Sequence, residues 1–456
     1  MKKTLLILFI VLHHLSLNAQ CWQSVSVGGA HTLGIRNGGT LWAWGRNNSG
    51  QLGSGPGGNS NVPLQVGTAT NWSVVFAGNA HNVGLKSNGT LWTWGRNQSG
   101  QLGDNSTSNS NVPIQIGTDT DWTFISAGDE FTLALKSNGT LWAWGENTVS
   151  QLGNGGTTNL LVPTQIGTDT DWQFVSGGTT HTLAIKSNGT LWAWGKNNVG
   201  QLGNSSNVDQ TTPIQIGTDT NWQYVAASIL HSVAMKTTGT LWTWGSNANG
   251  QLGDNTIVDK NFPVNISSMS VCSLISKGNQ HTIVRKSDGT LFAWGGNGSG
   301  QLGDGTNVQK LIPTPVFGAA IDWLVVSSKI SHTAALKDDG NLYTWGANLY
   351  GQLGDGTGVA SRNIPTIITC PTLSNEEYVS TNTIKLYPNP VSTYLNLQFE
   401  DQKAIDRILI SDLYGKTILD VKGNQSSINV ESLASGLYFI QVSSEGNQFQ
   451  TKFIKH

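Results

Sequence analysis

The stretch Gly39-Thr40-Leu41-Trp42-Ala43-Trp44-Gly45, closed a few residues later by Gln51-Leu52-Gly53, decides the fold because it returns at a fixed interval. Its first residue recurs as Gly89, Gly139, Gly189, Gly239 and Gly289, five steps of 50 residues, and then as Gly340 after a step of 51. Gln-Leu-Gly follows each time, at Gln51, Gln101, Gln151, Gln201, Gln251, Gln301 and Gln352. Seven copies fill the chain from about Trp22 to Ile368. In the first copy, Ser24–Val27, Thr32–Arg36, Leu41–Trp44 and Leu64–Val66 read as short strands between turn residues. Asn-Gly at Asn88-Gly89, Asn138-Gly139 and Asn188-Gly189, Asp-Gly at Asp288-Gly289 and Gly-Gly at Gly38-Gly39 predict tight type I′ hairpins between the second and third strands. Four strands per ~50-residue repeat describe one blade of a β-propeller, and seven blades lie within the range of that architecture.

The tryptophans follow the same register. One series is Trp44, Trp94, Trp144, Trp194, Trp244, Trp294 and Trp345; five more stand two residues earlier, at Trp42, Trp92, Trp142, Trp192 and Trp242. Trp22, Trp72, Trp122, Trp172, Trp222 and Trp323 open repeats, which accounts for all 18. Two rings separated by one residue share a strand face, so each blade is expected to turn an aromatic pair toward a neighbour. Burying one such ring is worth roughly 4–6 kcal/mol as an upper bound. Rings repeated in every copy read as packing rather than as sugar-stacking platforms.

Composition agrees with export and argues against some partners. Charged residues make up 11% of the 456 residues and the formal net charge is −2, far from the clustered Lys and Arg a nucleic-acid binder needs. Lys2 and Lys3 precede an apolar run from Leu5 to Leu12, and Asn18-Ala19-Gln20 offers a small-residue cleavage point, so residues 1–19 read as a signal peptide. The run is too short to span ~30 Å of hydrocarbon, and no transmembrane segment is expected in the mature chain. Lipid attachment at Cys21 is disfavoured by Gln20 before it.

Gly39 to Gly53, with Gly28-Gly29-Ala30-His31-Thr32 before it, resembles the regulator of chromosome condensation repeat across some 350 residues. Kelch and WD propellers lack the Gly-Gln-Leu-Gly element. The resemblance implies an all-β, seven-bladed propeller over residues 20–371. The family's eukaryotic founder is a nucleotide exchange factor that acts through a wedge inserted in one blade. Here the 50-residue spacing gains only two single residues, one between Pro313 and Trp323 and one between Gly354 and Pro365, so exchange activity is not expected.

Residues 372–383 read as a linker, and 384–456 as a small antiparallel β-sandwich. Its Tyr387-Pro388-Asn389-Pro390, Asp412-Leu413-Tyr414-Gly415-Lys416, Gly436-Leu437-Tyr438 and C-terminal Lys452-Phe453-Ile454-Lys455-His456 look like the type IX secretion sorting domain of Bacteroidetes. That resemblance implies the type IX machinery as a partner and a surface-attached or secreted passenger.

Cys21 begins the first repeat and Cys370 follows the last, so ring closure would bring them together and a disulfide is expected. Cys272 takes an opening-Trp position. His31, His81, His181, His231, His281 and His332 are equivalent, with Phe131 in the third copy; they stand too far apart round a ring to share one metal, and the family implies a structural imidazole packed within each blade. Asp119, Asp121, Asp169, Asp171 and Asp219 read as turn formers rather than calcium ligands. Asp129 and Glu130 form the one notable acidic cluster. No catalytic constellation, cofactor motif or metal motif appears. Variation gathers after each Gln-Leu-Gly, in segments such as Ser54–Val62 and Asp355–Ile364, expected on one face as a polar rim. The sequence reads as an exported binding module for an unknown protein or glycan; a secreted enzyme and a structural surface or matrix protein are the alternatives.

Overall fold

The computed structural model describes residues 21–369, 384–399, 404–411, 417–444 and 447–456. The expected signal peptide, the linker, Cys370 and Gly415 lie outside them. Two compact units divide between residues 370 and 371. The described residues are built of strands, with no helix among them.

Blade 1 consists of β1 (Trp22–Val27), β2 (His31–Arg36), β3 (Leu41–Gly45) and β4 (Ser60–Gln65), paired antiparallel in chain order. Six further sheets repeat this meander, blade 7 running from β25 (Trp323–Lys329) to β28 (Ser361–Ile368). The fourth strand starts earlier than its apolar run suggested. Its exposure and Pro63 suit an edge strand, where a missing N–H breaks no ladder. The first strands of successive blades touch all the way round, including β1 against β25, so they line a central channel. Each blade is contiguous in the chain, and no strand is exchanged between blades 1 and 7.

The β2–β3 hairpins depart from type I′. The Gly89 N–H bonds the Lys86 carbonyl at 2.9 Å, and only Gly89 of the Asn88-Gly89 pair has a positive φ, +77°. This is a three-residue loop ending in a left-handed glycine. Asn88 is free of that strain and instead accepts the Thr90 hydroxyl at 2.7 Å.

Seven apolar clusters fill the seven interfaces between blades. In the first, Leu33, Ile35, Leu41, Ala43, Leu52 and Val66 of blade 1 pack on Trp72, Val75, Ala77 and Trp94 of blade 2; in the last, Ala334, Leu336, Leu342 and Ile368 of blade 7 pack on Trp22, Val25, Val27 and Trp44 of blade 1. The Trp44 series is fully buried. The Trp42 series is half-buried, and a cation caps it: Arg36 lies 3.5 Å from the Trp42 ring and Lys86 3.6 Å from Trp92. Lys136, Lys186, Lys236, Lys286 and Lys337 repeat the arrangement in the other blades. Several of these lysines also grip the Asp turns, Lys136 reaching Asp119 at 2.5 Å and Asp121 at 3.2 Å. Those carboxylates therefore neutralise an ammonium, and the aromatic faces beneath are occupied.

The Gln-Leu-Gly segment joins one blade to the next. The Gln51 side-chain carbonyl accepts the Ser49 N–H at 2.8 Å, and Asn47 accepts the Leu52 N–H at 3.0 Å, which folds the loop. The backbone carbonyl of Gln51 then accepts Asn82 Nδ2 at 2.8 Å and Trp94 Nε1 at 3.2 Å from blade 2. Gly53 has φ +70°, and a Cβ there would lie 2.7 Å from Trp94 Nε1, so only glycine fits.

The C-terminal unit has a three-stranded sheet of β29 (Ile384–Tyr387), β30 (Tyr394–Phe399) and β33 (Ser427–Asn429). A four-stranded sheet holds β32 (Thr417–Lys422), β31 (Arg407–Ser411), β34 (Gly436–Ser444) and β35 (Asn447–Lys455) in that order. Their core includes Leu395, Ile408, Ile440 and Phe453. Of the motif residues, Tyr387 and Pro388 mark the exposed end of β29 and Pro390 precedes buried Val391. Asn389 accepts the Ile454 N–H at 2.8 Å, and Tyr438 stacks on Phe453 at 5.7 Å while donating to the Ala434 carbonyl at 3.0 Å. The motif thus ties the chain end into the sandwich.

Cys21 is disulfide-bonded, and Cys272 is a free, buried thiol that burial pushes up to about 11. We propose that Cys370 is the partner of Cys21. A non-reducing peptide map of the mature protein should contain one linked pair with both residues; recovering Cys370 as a free thiol would overturn the assignment. The loop closed would hold more than 300 residues, for which chain entropy gives about 4–6 kcal/mol.

Candidate binding site at the channel mouth

The β1–β2 and β3–β4 connections emerge at the same end of each blade. Arg46 N–H bonds the Ala30 carbonyl at 2.8 Å, and the Gly45 Cα faces His31 so closely that a Cβ would lie 2.7 Å from its Cα. This end carries both the post-Gln-Leu-Gly segments and the inner turns around the channel. The rim segments are latches: Gly55 N–H bonds the Asn111 carbonyl at 2.9 Å, and the pattern continues to Gly356 on Asn61 at 2.8 Å. Each is thus held by the following blade, while side chains such as Val208, Ile257 and Val308 stay exposed on the rim.

The six histidines begin the second strands of their blades and are completely buried. His31 packs on Gly28 and His81 on Gly78 of their own blades, and five of the six also bond across to the next blade, His281 making no such bond among the described residues. His31 Nε2 meets Asn82 Oδ1 at 2.7 Å, His81 meets Thr132 at 3.1 Å, His181 meets Ser232 at 2.9 Å, and His231 meets Thr282 at 3.1 Å. His332 closes the ring on Thr32 at 3.1 Å. Because the Thr32 hydroxyl gives its hydrogen to the Gln352 carbonyl at 2.8 Å, the imidazole must donate from Nε2. Burial lowers His31 to about 4 and His81, His181, His231, His281 and His332 to about 3.

Three charged side chains plug the channel below the mouth. Lys329 of blade 7 reaches Asp129 of blade 3 at 3.1 Å and the Gly128 carbonyl at 3.1 Å. Thr179 donates to the other oxygen of Asp129 at 2.5 Å. Burial opposes ionisation of Asp129, but Lys329, Thr179 and Lys277 outweigh it and hold the carboxyl below its usual range. Lys277 of blade 6 donates to the Gly177 carbonyl at 3.3 Å; burial, then repulsion from Lys329, lowers it to about 7. These groups enclose a space of about 10 Å³, room for one water.

Above them opens a cavity of about 390 Å³ between blades 6, 7, 1 and 2. Its lining includes Ala30, Arg46, Gln51, Asn79 and Arg96 from blades 1 and 2, and Ile330, Ser331, Leu349, Tyr350 and Gln352 from blade 7. That volume is within the ~300–1,000 Å³ of ligand sites. Arg46 stacks on Tyr350 with 4.9 Å from its guanidinium carbon to the ring centre. Arg96 is paired with Glu130 at 3.1 Å. Burial raises the Glu130 carboxyl, and Arg96 opposes the rise. The acidic cluster seen in sequence is therefore split: Asp129 belongs to the plug and Glu130 to the wall beside the cavity. The residues missed by sequence reasoning are Arg46, Arg96, Leu349, Tyr350, Lys277 and Lys329. Their one signal is departure from the repeat: where Arg46 and Arg96 stand, other copies have Glu146, Lys196, Ser246, Gly296 and Ala347.

Residues 9–276 and 169–385 match the RCC1-like domain family. Residues 385–456 match the secretion system C-terminal sorting domain. Among solved structures, the chain is similar to human WBSCR16 (23% identity, 73% of this chain and 95% of that chain covered, TM-score 0.66). It is also similar to yeast RCC1 as seen in a complex (20% identity, 84% and 93% covered, TM-score 0.66). At these identities the likeness is one of fold. The sorting domain marks the protein for export by type IX secretion to the cell surface or the medium. The chain belongs to the RCC1-like domain family, a seven-bladed propeller that carries its own C-terminal export signal.

Proposed function

We propose that this exported propeller is a binding module whose ligand, a glycan or a protein segment, seats in the cavity at the channel mouth. The observation that carries the reading is that Arg46, Arg96, Leu349 and Tyr350, all departures from the repeat, line one cavity of ligand size. Residues that build the ring repeat in every blade; residues that recognise one ligand need not. The latched rim fits a scaffold role, since rigid loops hold a site in shape without supplying it.

The test is a binding screen of the secreted full chain on glycan arrays and extracellular matrix proteins, alongside Ser331→Trp and Ala30→Trp, which fill the cavity. Saturable binding should weaken at least tenfold in both variants and survive Val208→Asp on the rim. Binding that ignores both tryptophans but is lost with rim substitutions would refute the site. Turnover of the captured compound would make the protein an enzyme instead.

A further inference from the structure

The cavity is rich in hydrogen-bond donors and holds one cation, Arg46, whose guanidinium lies over the Tyr350 ring but has no acceptor among the described residues. Among the described residues Arg46 has no side-chain hydrogen bond or ion pair, and its Nε is shut off from solvent with nothing to bond. Arg96 is different, since Glu130 at 3.1 Å and the Gln98 side chain at 2.6 Å already engage it. Gln51 and Gln352 spend their side-chain oxygens on the N–H groups of Ser49 (2.8 Å) and Tyr350 (2.9 Å). Their Nε2 hydrogens are left for a guest. Tyr350 and Leu349, the latter 74% exposed, supply an aromatic ring and an apolar edge.

Each feature selects among ligands. A single unpaired guanidinium matches a single carboxylate, which it can take with two parallel bonds; a phosphate dianion would call for a second free cation, and Arg96 is not free. Surplus donors match a guest covered in hydroxyl oxygens rather than a peptide, whose backbone brings a donor for nearly every acceptor. An aromatic ring beside an apolar side chain matches the C–H face of a sugar. A cavity of about 390 Å³ holds a compact guest and not an extended strand. We infer that the cavity binds a saccharide bearing one carboxylate per residue, a uronic-acid sugar, with Arg46 on the carboxylate, Tyr350 and Leu349 against the ring, and the Gln51 and Gln352 amides on its hydroxyls. This rests on the cavity being the binding site.

Calorimetric titration of the full chain with oligogalacturonate and oligomannuronate, their carboxyl-reduced neutral counterparts and a polyglutamate peptide tests both layers. At least one uronate should bind more than tenfold tighter than its neutral counterpart, with affinity falling as salt rises. Arg46→Met should cost the acidic probe at least 30-fold and leave the neutral one within twofold; Arg46→Lys, which keeps the charge and loses the fork, should fall between and guards against a misfolded Met variant. Equal binding of acidic and neutral sugars, tighter binding of polyglutamate, or no uronate binding at all overturns the inference. If Ser331→Trp abolishes binding of a neutral sugar while Arg46→Met changes nothing, the cavity stands as the site and the acid specificity falls. If Ser331→Trp leaves uronate binding intact, both fall.

Discussion

Lowering the pH from 6.5 to 4 should unfold the propeller, with an uptake of about six protons per chain. The six buried histidines hold folded-state values of about 3 to 4 against 6.5 when unfolded. The unfolded chain therefore binds protons first as the pH falls. Stability is full above pH 6.5 and is lost progressively below it, until the folded-state values are reached. Each histidine forfeits about 1.4 kcal/mol per pH unit, so six together forfeit about 8 kcal/mol per unit and about 20 kcal/mol by pH 4. That exceeds the 5–15 kcal/mol by which ordinary folded domains persist. Carboxylates such as Asp129, Asp254, Asp304 and Asp355 are held below 3.8; their contribution is lost at lower pH, after the histidine window. Urea midpoints measured from pH 8 to pH 4 report the slope. His181→Phe copies what blade 3 already has at Phe131 and should reduce the slope by about one proton, at a cost of about 1 kcal/mol for the lost Ser232 bond at neutral pH. A flat stability profile between pH 6.5 and 4.5 would show that the imidazoles are not buried as described.

Replacing Lys277 with Met should stabilise the protein at pH 7 and below by about 2–5 kcal/mol. The ammonium is enclosed, its nearest acceptor is the Gly177 carbonyl, and Asp129 is already committed to Lys329. A fall from 10.5 to about 7 corresponds to a cost near 5 kcal/mol. The lower bound allows for the part of the side chain that remains in contact with solvent. The sign follows from the unfolded chain holding the proton up to 10.5. The cost is complete below pH 7 and shrinks as pH rises toward 10.5, so the advantage of Met should fade along the same interval. Of the other six blades, five place Val27, Ala77, Ala127, Gly177 and Ala227 at this position and one places Ser328, so an apolar side chain has precedent there. Comparing urea midpoints at pH 7 and pH 10 decides the matter; a destabilised Lys277→Met would mean that the ammonium serves a partner in the channel.

Much of the architecture was legible because it is periodic. The Trp44 series and the Gln-Leu-Gly series each count seven blades, and strict spacing leaves no place for an inserted segment. What periodicity reports is position along the chain, not direction across it. His31 could be located in its blade, yet its bond to Asn82 of the next blade depends on how neighbouring sheets stack. Lys86 lies too far in sequence from Trp72 for pattern reading to place it over that ring. Asn88-Gly89 fits more than one hairpin, and a single left-handed residue turned out to suffice. The candidate site was the least readable part. Tyr350 and Arg46 lie 304 positions apart and meet only when the ring closes. Their neighbours vary among blades, so a search tuned to repetition passes over them.

Because every blade is one uninterrupted piece of chain, six of the junctions carry a peptide connection and the seventh carries none. At that seventh junction Trp44 Nε1 lacks the bond that the other six tryptophans of its series make to a Gln carbonyl. The propeller therefore has a seam between β28 and β1 where an opening begins, and any covalent clasp from Cys21 would sit on it. The same seam borders the cavity, with Tyr350 on one lip and Arg46 on the other. A guest gripped by both lips would act as a second clasp, so occupancy of the site should register as resistance of the whole ring to unzipping.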